Sequence, residues 1–159
     1  MSNKFFKEAC GNCNCEAALK VETLLRDNLT FFYRREILYF ENLKDYNKMI
    51  FVDIKDLKCM NETQGYMVGD MCIMRTAMAI LHSLIAAKVD DFIPIRFGGD
   101  ELIVLLKHDI DWETFTKTMD KMAAYKLCPE TYMSFQDLEN QSLETIFFNL
   151  KNLKRGEMV

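Results

Sequence analysis

Phe92-Ile93-Pro94-Ile95-Arg96-Phe97-Gly98-Gly99-Asp100-Glu101-Leu102-Ile103-Val104-Leu105-Leu106 sets two short apolar runs on either side of two glycines and two acids. Each run has strand length. A glycine pair between them is a hairpin signal, because glycine supplies the positive φ that a tight connection requires. Pro94 lacks a backbone N–H and is expected where the ladder needs no donor. The two acids therefore stand at the tip of a hairpin whose strands are otherwise apolar. Upstream, Met49-Ile50-Phe51-Val52-Asp53-Ile54 is another apolar run of strand length, with a carboxylate near its end. Desolvating Asp53 is costly unless something pairs with it. If the hairpin lies beside this strand, Asp53, Asp100 and Glu101 gather at one sheet edge. Hard oxygen donors on a rigid sheet suit Mg²⁺ or Mn²⁺, with substrate phosphates completing the shell. Gly98-Gly99 also leaves room for a phosphate or ribose to approach the backbone. A solvated turn with charged tips is the plain alternative for the same four residues.

Around these strands the pattern is helical. Apolar positions in residues 3–25, broken at Gly11-Asn12, predict two short helices, and residues 34–41 predict another. Val68, Cys72, Ile73, Ala77, Ile80, Leu81, Leu84 and Ile85 fit one face of a long helix. Residues 112–125 predict an amphipathic helix, 131–135 a strand and 142–153 a last helix. Helices alternating with a strand and a hairpin indicate one α/β (α+β) domain, with helices over a mostly antiparallel sheet.

Composition narrows the function classes. The chain has 159 residues, half of them apolar, and a formal charge of −4, which does not suit a nucleic-acid binder with a basic face. No apolar run approaches the roughly 20 residues of a membrane span, and no signal-peptide core opens the chain. Six cysteines without a secretion signal are expected to be reduced thiols in a cytoplasmic protein. Cys10, Cys13 and Cys15 fall short of the four ligands of a structural zinc site, and neither His82 nor His108 is near them. Cys59, Cys72 and His82 are expected to pack in the core, and the eleven methionines suit a forgiving interior.

Arg96-Phe97-Gly98-Gly99-Asp100-Glu101-Leu102 is similar to the signature of the GGDEF family, with Leu102 in place of its final Phe. Asp53-Ile54-Lys55-Asp56-Leu57-Lys58-Cys59-Met60-Asn61-Glu62 resembles that family's Asp-Ile-Asp-x-Phe-Lys-x-Ile-Asn-Asp segment, and Gly65 and Gly69-Asp70 continue it at the family's spacing. Asp27-Asn28-Leu29-Thr30 with Arg34-Arg35 resembles the family's opening motif. Three blocks in the right order cover residues 27 to 106 well and the remainder loosely. The resemblance implies a palm-like nucleotidyl-cyclase fold over residues 27–159, preceded by a helical extension at 1–26. It implies a diguanylate cyclase, condensing two GTP to cyclic di-GMP and pyrophosphate by metal-dependent attack of a 3′-hydroxyl. Each domain holds one GTP, so a homodimer is expected.

The same resemblance assigns roles. Asp53, Asp100 and the Ile54 carbonyl would hold Mg²⁺ or Mn²⁺. Asn61 and Asp70 would read the guanine edge, which adenine cannot match. Leu57, Lys58, Gly98 and Gly99 would line the nucleotide, with Lys58 on phosphate. Glu101 would assist the metal or help deprotonate the attacking hydroxyl. Lys154 and Arg155 resemble the phosphate contacts of the family's final helix, although a basic last turn is also what the helix dipole favours.

The chain departs from the family in several places. Lys55 occupies an acidic position, Tyr66 replaces a His, and Gln136 stands where a Gly is expected after Ser134-Phe135. Val89 and Phe92 replace the Arg and Asp of the product-inhibition motif, so no such site is expected. A shortened C-terminal half and the absence of a sensor domain motivate an alternative. In it, the chain is a catalytically weak or inactive module that binds GTP and acts through an unidentified regulatory protein. The N-terminal helices are too short and broken for a heptad seam.

Overall fold

The computed structural model describes residues 16–138 together with Ser142, Thr145 and Phe148. The predicted helix at 142–153 lies almost wholly outside these residues, as do Cys10, Cys13, Cys15, Lys154 and Arg155. Elements run α1 (Glu16–Leu24), β1 (Tyr33–Arg34), two 3₁₀ helices (Arg35–Tyr39 and Leu43–Asp45), β2 (Lys48–Ile54), α2 (Leu57–Gln64), α3 (Tyr66–Ala86), β3 (Phe92–Arg96), β4 (Glu101–Leu106), α4 (Trp112–Ala124) and β5 (Thr131–Asp137). The sheet order is β1-β3-β4-β2-β5, antiparallel except for β1 against β3.

β2 and β4 are apolar at nearly every position because both faces of the sheet are covered. Side chains alternate between faces, so each strand feeds two cores. Ile50, Val52, Leu102, Val104 and Leu106 pack with Ala77, Ile80 and Leu84 of α3 and with Phe115 and Met119 of α4. Met49, Phe51, Ile103 and Leu105 point the other way, onto Leu25, Tyr33, Ile37, Leu38, Tyr46 and Leu138. Trp112 stacks between Phe115 and Phe135, with centroids 5.4 and 5.2 Å away, and so pins α4 to β5.

Several expectations are corrected. Residues 34–41 form the end of a two-residue strand and a 3₁₀ helix, because Tyr33 and Arg34 pair with Ile95 and Arg96. Cys59 and His82 are exposed and Cys72 is only half-buried. Four methionines of α3 are on the surface, contrary to an interior role. α3 is also long and apolar enough, by length and composition, to cross a membrane. Here it lies on the sheet, burying Ile73, Ala77, Ile80 and Leu84.

Gly65 joins α2 to α3 at φ 89° and ψ 159°, a region essentially reserved for glycine. A Cβ there would meet no atom within 4 Å, so its cost is conformational alone. Gly65→Ala is expected to destabilise the fold by about 1–3 kcal/mol. A melting curve should register this at roughly 2–4 °C per kcal/mol.

Candidate functional site

The ladder between β2 and β4 ends by setting Asp53 directly opposite Glu101, so the two carboxylates share one face of the sheet. One step further, the Ile54 N–H donates to the Asp100 carbonyl at 3.1 Å. The strand pairing thus makes Asp53, Ile54, Asp100 and Glu101 neighbours along the β2–β4 ladder. Asp53 Oδ1 is buried, while Asp100 and Glu101 are half-buried.

The hairpin turn closes when the Phe97 and Gly98 N–H groups both donate to the Glu101 carbonyl, at 2.9 and 3.2 Å. Neither Gly98 nor Gly99 uses a positive φ; among the described glycines only Gly65 does. The expectation for the turn is therefore corrected. What Gly98 supplies is space, since a Cβ there would lie 2.2 Å from Glu101 Oε2. The carboxylate folds back over the glycine.

A second close approach joins α2 to α3. A Cβ on Gly69 would fall 1.8 Å from Asn61 Oδ1, so the Asn61 amide rests against the backbone of α3. Asp70 is the next residue and is exposed. Leu57 is buried and anchors α2 with Ile54 and Ile73. Lys58 is solvated, 3.8 Å from Glu62, and is not drawn to the acids. Lys55 does not point a bare cation at the site: its Nζ pairs with Glu130 at 3.2 Å and lies 4.6 Å over the Tyr132 ring. Val89 and Phe92 pack in the core beside α3.

Arg96 and Asp27 lie in the sequence motifs without an assigned role, and the structure supplies one. Arg96 Nη1 donates to both Asp27 oxygens at 3.3 and 3.2 Å. Its Nε and Nη2 donate to the Gly98 and Gly99 carbonyls at 3.3 and 3.1 Å. Asp27 Oδ1 also accepts from the N–H groups of Leu29 and Thr30 and from the Thr30 hydroxyl. One guanidinium therefore ties the glycine turn to the turn before β1. Burial works to raise the Asp27 pKa, but the Thr30 donors and Arg96 outweigh it and hold it below the ordinary 3.8. A depressed folded-state value means the carboxylate stabilises fully above pH 3.8 and less as pH falls below it. Asp27→Asn is expected to be less stable than wild type at neutral pH. Denaturant unfolding should show that gap closing as pH falls below 3.8.

Among the described residues no three His, Cys, Asp or Glu side chains converge as a metal cage. Mg²⁺ does not need one; it is held by one or two carboxylates together with substrate phosphates. Asp53, Ile54 and Asp100 offer oxygen donors of that type, neighbours along the β2–β4 ladder.

The family model described as "Diguanylate cyclase, GGDEF domain" matches residues 26–129. The chain belongs to the GGDEF family. Its fold agrees with solved GGDEF structures. Against the diguanylate cyclase SiaD of Pseudomonas aeruginosa, in complex with its activator SiaC, the TM-score is 0.64 at 19% identity, over 88% of this chain and 61% of that one. Against the GGDEF domain of DgcB from Caulobacter crescentus, in complex with c-di-GMP, it is 0.59 at 18% identity, over 84% and 89%. Against Vibrio cholerae LapD S helix-GGDEF-EAL, bound to c-di-GMP, it is 0.64 at 15% identity, over 90% of this chain and 37% of that one. This GGDEF chain therefore spans little more than a third of that LapD chain. No curated protein is significantly similar to it in sequence.

Proposed function

We propose that this GGDEF chain is a diguanylate cyclase that joins two GTP molecules into cyclic di-GMP. The observation that carries the reading is the register of β2 and β4, which sets Asp53 against Glu101 with Asp100 one step away. Asp53, Asp100 and the Ile54 carbonyl would hold Mg²⁺ or Mn²⁺; when bound, the cation neutralises phosphate charge and acidifies the 3′-hydroxyl.

Asp70 accepts from the guanine N1–H and exocyclic amine, and the Asn61 amide, fixed on Gly69, adds a hydrogen bond to the same edge. Leu57 and Lys58 lie along the nucleotide, and Gly98-Gly99 lets phosphate approach the backbone. Lys154 and Arg155 add phosphate contacts. Glu101 receives the proton as the 3′-oxygen attacks the α-phosphorus of the facing GTP. One P–O bond forms there and the bond to pyrophosphate breaks; a second round closes the ring. A homodimer brings the two nucleotides together. The complex of SiaD with its activator makes a regulatory protein partner a natural addition.

Purified protein with GTP and Mg²⁺ should yield cyclic di-GMP and two pyrophosphates per product. ATP should give no product and a smaller thermal shift, and Asp70→Ala should erase that difference. A second reading, GTP binding without turnover, is favoured by Lys58, which is solvated beside Glu62 and not drawn to the acids. It predicts a GTP thermal shift with no product. Neither shift nor product would sink both.

A further inference from the structure

A surface helix normally carries one apolar stripe, facing the core. α3 carries two. Ile73, Ala77, Ile80 and Leu84 face the sheet. On the outer side, Met67, Met71, Met74 and Met78 are 79%, 41%, 39% and 65% exposed, and Ile85 is 71% exposed. Leu81, half-buried and packed in part against the core, continues the row. The steps from 67 to 71, 74, 78, 81 and 85 alternate four and three, which is the a/d spacing of a coiled coil. A contiguous exposed row of this kind marks an interaction surface.

We propose that α3 docks in parallel on α3 of a second copy of this chain, through this methionine seam. The charges beside the seam choose the occupant and its direction. With Met67, Met74 and Leu81 at d and Met71, Met78 and Ile85 at a, Asp70 is a g position and Arg75 an e position. Both are exposed, and five residues apart they do not face each other on their own helix. In a parallel pair a g side chain lies across from the partner's e side chain five positions on, so each Asp70 meets the other copy's Arg75. An antiparallel pair overlapped along the whole seam would set each Asp70 beside the far end of the partner's seam, near Leu84, and would form no such charge pair. Charge complementarity thus favours a parallel twin. A lipid surface is disfavoured because Asp70 and Arg75 balance, whereas membrane-lying helices carry a lysine- and arginine-rich polar face. The helix is already folded on the sheet, so association bears no nucleation cost.

This pairing does not rest on the nucleotide reading and would survive failure of the cyclase assay. Because Asp70 is also proposed to read guanine, the two uses compete, and association is measured without nucleotide. Sedimentation equilibrium of the full chain should show a concentration-dependent dimer. Met71→Lys with Met78→Lys should leave a monomer with unchanged circular dichroism, melting where wild type melts when diluted to monomer, since both side chains point outward. Asp70→Lys and Arg75→Glu should each weaken the dimer about tenfold by turning two attractions into repulsions. Mixing those two single variants should restore it. In the mixed pair the introduced lysine of one copy faces the introduced glutamate of the other, and the remaining Asp70 faces the remaining Arg75.

Three results would overturn the proposal. One is a wild-type monomer throughout the micromolar range, including one that instead co-sediments with phosphatidylserine vesicles. Another is dimerisation untouched by the methionine changes. The third is single charge swaps that associate like wild type, the antiparallel signature.

Discussion

Asp53→Ala is expected to cut cyclic di-GMP formation about 10³-fold, because a metal donor worth several kcal/mol of transition-state charge is lost. The same substitution should not harm the fold. Without a cation, Asp53 and Glu101 are like charges facing each other across two strands, an arrangement that opposes pairing. Removing one relieves that repulsion, so the melting temperature in metal-free buffer should hold or rise. Wild type, in contrast, should gain stability on titration with Mg²⁺, through the mass action of a ligand that binds only the native state. Asp53→Ala should lose that gain. Activity and metal-free stability therefore move in opposite directions, as expected where a site stores unfavourable charge for function. A variant that loses stability in metal-free buffer would mean that Asp53 is a structural carboxylate, and the metal assignment would go with it.

How far each contact reaches along the chain decides what could be seen in the sequence. β2 and β4 announce themselves as unbroken apolar runs, since two covered faces leave no polar alternation. α3 shows its core stripe by helical spacing, and the hairpin by its glycines. β1 is hidden, because Tyr33 and Arg34 are extended only through pairing with Ile95 and Arg96, far along the chain. The Asp27–Arg96 pair, at a separation of 69, is hidden for the same reason. Opposite charges in two separate motifs are its only signal. The second stripe of α3 is in plain view, but methionine is ordinary in a core, and only exposure tells the two stripes apart. Gly98 shows the remaining gap. Its identity is legible while its reason is not, because the nearest atom to its missing Cβ belongs to the side chain of Glu101.

That reason makes Gly98→Ala a sharp experiment. Gly98 has no positive φ, so alanine needs no strained backbone and the turn bonds from Phe97 and Gly98 to Glu101 can persist. The one obstruction is Glu101 Oε2 at 2.2 Å, the free end of a flexible side chain, which must swing away. Stability should change by under about 1 kcal/mol, as for substitutions that touch no core, cap or strained site. Turnover should fall about 10²-fold, the lower end of what a displaced general base costs. GTP affinity, read by thermal shift, should change little if Asn61 and Asp70 carry the base recognition. Here Gly98 is a positioning residue acting through Glu101, and a double-mutant cycle tests that directly. Glu101→Gln alone should cost as much as or more than Gly98→Ala. The double variant should be no worse than Glu101→Gln, because the same carboxylate cannot be removed twice. Additive losses would instead place the effect of Gly98 on the approach of phosphate to the backbone, independent of Glu101.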